Sequence, residues 1–450
     1  MEYKNKSFRN KSKKLILDVH LNESEIRVDL FNANFFLSKL SELDSNKINQ
    51  TLLILKQLLV LDFNASTQLL HENIDYLYKI VNLIFNQESS FNALLFLGIL
   101  TESTDMFSNI IGTEEFFYCL IDHFDMFINE RKLFKLLLIL LSNMFYDSYI
   151  VISNIIKTNF LCYLMRNDLK SKKLNKLLYI VVTSNNLQNE IIIQIIRFFS
   201  TQIKNNSDNL KYALNTFIFF IKDLNYQKEI VHLILTYNLC STFVKLIKTK
   251  YAIYSLEILK FSLVLSEEMI PQIIGYDVIP TIYKMLNNSS KEVLYSIIQL
   301  ITSFLTSIQN FGCSEYYINS ISYIYEYNFY DLFINGSFQV KTVLLQMLCA
   351  LFNDIKIEYL KKYIFNDFID SILEFMCNEA NKTYIYNLLI LMINHILNEE
   401  EENMQKIIFQ KLNNPEFINN LEIDSQSTNQ DLSFFSQMLL NYINKINSSF

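Results

Sequence analysis

From residue 50 onward, apolar residues recur at i, i+3, i+4 and i+7 in segment after segment, with no linker to divide them. That spacing lays one apolar stripe along one face of a helix. The segments themselves repeat. In residues 255–286 a long helix ends near Val264 and a short helix carries Ile270, Ile273 and Ile274. A Gly275-Tyr276-Asp277 corner then turns, and Val278-Ile279-Pro280 opens the next helix. Pro280 suits a first helical turn, where its missing N–H costs nothing. The same order returns, without the proline, at 219–247 and 351–375. A unit of this kind cannot bury its apolar face alone, so copies must stack.

Turn chemistry points the same way. The 450 residues contain five glycines and three prolines, with half the chain hydrophobic. A β-rich or α/β chain of this size needs many more positions with φ > 0, whereas helices joined by Asn, Ser and Lys corners need few. The expected fold is all-α: a right-handed superhelical solenoid of armadillo repeats, filling 50–450 with about eight to ten units. Equivalent points near the ends of the long third helices fall at Gly98, Asn143, Val182, Ile221, Phe261, Ser303, Ala350 and Asn394, about 39 to 47 residues apart.

Residues 1–14 carry Lys4, Lys6, Arg9, Lys11, Lys13 and Lys14 against one acid, Glu2. They read as a basic arm and not as a secretory signal. The net charge of −7 is too weak and too mixed for whole-surface binding of nucleic acid. Runs such as Leu136–Leu141 are far shorter than the roughly 18 residues that cross a bilayer, so no membrane partner is expected. The cysteines (Cys119, Cys162, Cys240, Cys313, Cys349 and Cys377) sit in apolar surroundings without a Cys-x-x-Cys, the pattern of buried, reduced thiols.

The arm carries a resemblance. Phe8-Arg9-Asn10-Lys11-Ser12-Lys13 looks like the Phe-Lys-Asn-Lys-Gly-Lys block of importin alpha, and Glu25-Ile26-Arg27-Val28-Asp29-Leu30 resembles that family's Glu-Val-x-Val-Glu-Leu. The family's arginine run is replaced here by Val19-His20-Leu21-Asn22. The resemblance implies that residues 1–42 form an importin-beta-binding segment, with Phe8, Arg9, Asn10, Lys11, Lys13, Lys14 and Arg27 at the contact. From about Phe91 to Ile443 the repeats follow the importin alpha register, including a closing repeat over Asn413–Ile423 and Leu439–Ile443.

In importin alpha each third helix displays a Trp and, four residues later, an Asn on the concave face, where they hold the basic nuclear-localisation signals of cargo. This chain has no tryptophan. The matching positions are Leu94 and Gly98, Ile139 and Asn143, Leu178 and Val182, Phe217 and Ile221, Glu257 and Phe261, Gln299 and Ser303, and Gln346 and Ala350. The third repeat alone keeps the Asn, together with Asp147 one turn later, which the resemblance assigns to a cargo lysine. Read from the residues, Asn143 and Asp147 are equally helix-end caps.

The resemblance implies a nuclear import adaptor that shuttles between cytoplasm and nucleus and links signal-bearing cargo to importin beta. An export receptor would meet the acidic run Glu399–Glu402, which otherwise reads as a solvated loop. The alternative is an armadillo scaffold unconnected with transport. An enzyme is not expected, nor a cofactor. His20, His71, His123, His232 and His395 never share a helix face at metal-ligand spacing, and no phosphate loop or nucleophile elbow is present. The aromatic stretches, Tyr251 and Tyr254, Tyr316-Tyr317 and Tyr323–Tyr330, suit helix packing or the lining of a peptide groove.

Overall fold

The computed structural model describes residues 30–103, 105–166, 171–183, 187–205, 210–312, 324–325, 327, 329–353, 355–376, 378–398 and 401–447. The Phe8–Lys14 block and Arg27 lie outside them. The chain divides into two compact units, 1–216 and 217–450. The helices that close each repeat are α1 (Ile48–Leu61), α2 (Ser90–Ser103), α3 (Arg131–Asp147), α4 (Lys172–Thr183), α5 (Lys211–Ile221), α6 (Ala252–Leu265), α7 (Lys291–Asn310), α8 (Phe338–Phe352), α9 (Glu379–Asn398) and α10 (Gln430–Asn447). The division between units falls inside α5.

In the first unit α1 packs on α2, α2 on α3 and α3 on α4. These helices begin 41 or 42 residues apart. Shorter helices such as Glu114–Asp122, Tyr149–Lys157 and Phe160–Leu164 form the other layer. Between the layers Phe117 meets Phe145 and Phe160 at 6.4 and 5.7 Å, and Phe124 meets Phe160 edge-on at 5.7 Å. All four rings are fully buried, each worth about 1.5–3 kcal/mol in removed apolar surface. Ala33–Ser41 is a helix whose Asn32 side chain accepts the Phe35 N–H and whose Phe36 and Leu40 are buried.

The second unit repeats the plan. Here α6 packs on α7, α7 on α8, α8 on α9 and α9 on α10. Phe333, Phe352, Tyr363 and Phe368 form its buried aromatic centre, with Tyr363 5.0 Å from Phe352 and 5.2 Å from Phe368. Of the tyrosine stretches, Tyr327 packs edge-on to Tyr283 at 5.0 Å, so it serves the stack. Tyr316 and Tyr317 lie outside the described residues. The helix pair Gln227–Thr236 and Leu239–Ile247 bends by 89° and buries Ile230, Ile234 and Phe243. No single helix among the described residues is long and apolar enough to cross a membrane.

The corners explain how so few glycines suffice. Asn159, Asn238 and Asp277 adopt the left-handed conformation, with φ of 56°, 55° and 53°. Each precedes a fully buried residue, Phe160, Leu239 or Val278, that opens the next short helix. Asn and Asp tolerate this backbone better than other non-glycine residues because a short polar side chain satisfies nearby backbone groups.

Side-chain ties confirm the repeat length in another way. Asn143 reaches Gly98 45 residues back, Asn154 reaches Gly112, Ser307 reaches Leu263 and His395 reaches Phe352, 42 to 44 residues back. One repeat grips the last through its backbone carbonyls.

The cysteines depart from the uniform burial expected. Cys240 and Cys349 are buried, and burial pushes both thiols up to about 12. Cys119 is half-buried and Cys162 exposed. Both lie on short helices, Glu114–Asp122 and Phe160–Leu164, where one residue of slip turns a side chain from core to solvent.

Candidate functional site

The long helices are the elements on which a partner could lie, because their open faces stack side by side within each unit. In the first unit α3 occupies the middle. Ile139 and Asn143 are half-buried on it. The Asn143 amide donates to the Gly98 carbonyl at 2.9 Å. Its N–H is therefore engaged in joining α2 to α3. A Cβ built at Gly98 would meet nothing within 4 Å, so a small open notch lies there. Asp147 closes α3; its side chain lies outside what the structure describes.

Several positions aligned to the groove lie elsewhere. Leu94, Leu178, Val182 and Phe217 are at most 2% exposed and fill the space between layers. The open face of α4 instead carries Lys173, Lys176, Tyr179 and Ile180, all half-buried. A helix turns about 100° per residue, so a register error of one or two residues exchanges groove for core.

Sequence reasoning also missed the charge of this face. Lys135 lies on α3, and Lys173 and Lys176 lie on α4, which packs against it. Lys173 is pushed down to about 8 by burial, then by Lys135 and Lys176, and burial alone pushes Lys176 down to about 8. Burial also lowers Lys56 on α1. Neither α3 nor α4 has an acid in its first turn, the place where the helix dipole favours one. Beside these lysines the rings of Tyr179 and Tyr212 lie 5.9 Å apart. The signal was legible as a row of lysines at i, i+3 and i+4 on consecutive repeats.

The corresponding face of the second unit is mixed in charge. A cleft of about 690 Å³ opens between the first halves of α6 and α7 and the start of α8, with Glu257, Lys260, Tyr295, Gln299 and Phe338 on its walls. Gln299 accepts from Lys260 Nζ at 2.9 Å and donates to the Tyr295 hydroxyl at 3.0 Å. Glu257 pairs with Lys222 at 2.6 Å, and the Lys260 and Lys222 ammonium groups sit 4.7 and 5.2 Å from the Phe261 ring centre. Gln346 donates to the Tyr384 hydroxyl at 3.0 Å, and Ser303 is half-buried on α7. Gln299, Ser303 and Gln346 thus lie on stacked long helices, with both glutamines held by neighbours that fix their amides.

No family model matches the chain, and no curated protein matches it. Solved structures do. An engineered protein aligns with a TM-score of 0.61 at 12% identity over 92% of this chain and 99% of its own. A chain from a structure concerning a phosphorylation switch in the interaction between cadherin and beta-catenin also gives 0.61 at 12% identity, over 91% and 86%. A designed armadillo repeat protein matches 55% of the chain and 99% of its own, at 14% identity with a TM-score of 0.42.

The fold is an armadillo-type solenoid. Its long helices are therefore the third helices of armadillo repeats. Among the described residues, no group of three or more His, Cys, Asp or Glu side chains is placed to hold a metal ion.

Proposed function

We propose that this chain is a protein–protein interaction scaffold whose third helices receive an extended segment of a partner. The observation that carries this reading is the row of half-buried amides on stacked third helices, Gln299 and Gln346, beside a cleft of about 690 Å³. Side-chain amides held by neighbours keep one donor or acceptor free for a peptide backbone and lose little entropy on binding. A photo-crosslinking residue placed at Gln299 or Ile139 tests it against one at Tyr118, which is 51% exposed on an outer helix. Partners captured from the third-helix positions and not from Tyr118 support the reading; equal capture from all three defeats it.

The finer reading is a nuclear import adaptor that links cargo signals to importin beta and shuttles between cytoplasm and nucleus. Its support is the pair of blocks Phe8–Lys13 and Glu25–Leu30, with the Ile139, Asn143 and Asp147 series on α3. The engaged amide of Asn143 and the lysines of α3 and α4 weigh against basic cargo in the first unit, and the general scaffold is the better supported of the two. Capture of importin beta by the intact chain, and its loss on deleting residues 1–42, would establish the finer reading. Absence of capture at low salt would leave the scaffold.

A further inference from the structure

Basic side chains of the first unit concentrate on two neighbouring long helices. In their first two turns α3 and α4 carry Arg131, Lys132, Lys135, Lys172, Lys173 and Lys176, against Glu130 at the N-cap of α3 and Asp147 at its far end. Shorter helices of the same unit carry acids, among them Glu114, Glu115, Asp122 and Asp125. This happens in a chain whose net charge is −7.

Two basic residues outside the long helices are compensated: Lys157 pairs with Glu114 at 2.8 Å and Arg166 with Asp125 at 3.5 Å. Lys135 and Lys173, by contrast, make no ion pair with any described residue. Like charges held near one another and partly desolvated cost folding energy that packing does not require. Leucine or glutamine would cover the same surface without repulsion. A ligand of opposite sign removes the cost.

We propose that the third-helix face of α3 and α4 binds an acidic segment of a partner protein, with carboxylates set against Lys135, Lys173 and Lys176. The inference rests on the scaffold reading and names the chemistry of the partner. Neighbouring helices lie about 8–10 Å apart, so an extended chain places roughly every third residue over the next helix. Carboxylates at that interval meet one lysine row after another. Tyr179 and Tyr212 supply the apolar floor for the residues between. A basic segment, including the chain's own residues 1–14, has the wrong sign for this face. A nucleic acid has the right sign, yet Lys173 and Lys176 are half-buried beside Leu177, Leu178 and Tyr179, and of the three lysines only Lys135 stands exposed as a phosphate contact would.

Fluorescence anisotropy on the full chain provides the test, with a labelled peptide of about nine residues, Glu or Asp at every third position and Ala and Leu between. A twin with Lys for each acid and a single-stranded RNA are the controls. The acidic peptide should bind, weaken as salt rises, and lose at least about tenfold in affinity in the Lys135→Glu/Lys173→Glu/Lys176→Glu variant. A Lys→Gln set at the same positions, checked by circular dichroism, separates lost charge from lost fold and should give an intermediate loss. Equal binding by parent and folded variants, preference for the lysine twin, or tighter binding of the RNA each overturns the proposal. A random peptide library displayed against the chain separates the two levels. Neutral or basic winners defeat the acidic inference and leave the scaffold standing, while a library with no winners defeats both.

Discussion

Asn143 donates its side-chain N–H to the carbonyl oxygen of Gly98 at 2.9 Å, tying the third helix of one repeat to that of the repeat before it. The two residues align with the asparagine positions of neighbouring repeats, and the structure joins them to each other. The backbone at Gly98 thus has a bonding role while its missing side chain leaves open space. Gly98→Ala should therefore raise stability by about 0.5–1 kcal/mol, since Ala is the better helix former and clashes with nothing. Urea denaturation measures it. Gly112→Ala should do the reverse, because the new Cβ would lie 2.5 Å from Val151 Cγ2 and 2.9 Å from the Ser108 carbonyl.

The left-handed corners give a second prediction. Asn238→Val should cost about 1–2 kcal/mol, the strain of a β-branched residue at φ near 55°. Asn238→Gly should be neutral or slightly stabilising. A larger loss for Gly than for Val would show that the Asn side chain, and not the backbone, holds this corner.

The closing repeat is fastened by a buried carboxylate. Asp424, 7% exposed, accepts from Lys382 at 2.9 and 3.0 Å and from the Tyr386 hydroxyl at 2.6 Å. Burial, and then the Asp424 carboxylate, hold the Tyr386 hydroxyl well above its usual range. Asp424→Asn should cost about 1–3 kcal/mol, with Lys382 left facing a neutral amide. Hydrogen exchange should then quicken first in Gln430–Asn447. Unchanged exchange there would show that apolar packing alone seats the last helix.

The lysine face makes stability depend on pH in a definite direction. Lys173 and Lys176 titrate at about 8 when folded and near 10.5 when unfolded. Between these values the unfolded chain binds more protons, so stability rises with pH through that window and the full penalty stands below it. Lys173→Met and Lys176→Met should therefore stabilise the chain at pH 7, and the advantage should shrink by about pH 9.5. Denaturation midpoints at the two pH values decide it; an advantage independent of pH would assign the gain to packing.

Much of this was legible in the sequence. The apolar periodicity, the scarcity of glycine and the return of the Gly275–Asp277 corner pattern required stacked helices of armadillo length, because each unit exposes an apolar stripe that only a neighbour can cover. The points Gly98 to Asn394 all fall on the long helices of the structure. The side of each helix was a harder matter. Leu178 and Val182 share a helix with Lys176 and Tyr179, and composition does not say which pair faces the next layer when nearly every position is apolar.

The sequence by itself determined the class of fold and the repeat length, since hydrophobic spacing along a helix is a local property. Tertiary structure decided which side chains of each third helix are buried and which stay open. The rotation of each third helix is set by its packing on the helices before and after it. That packing buried Leu94 and Phe217, engaged Asn143 with Gly98, and set α4 with its lysines against α3.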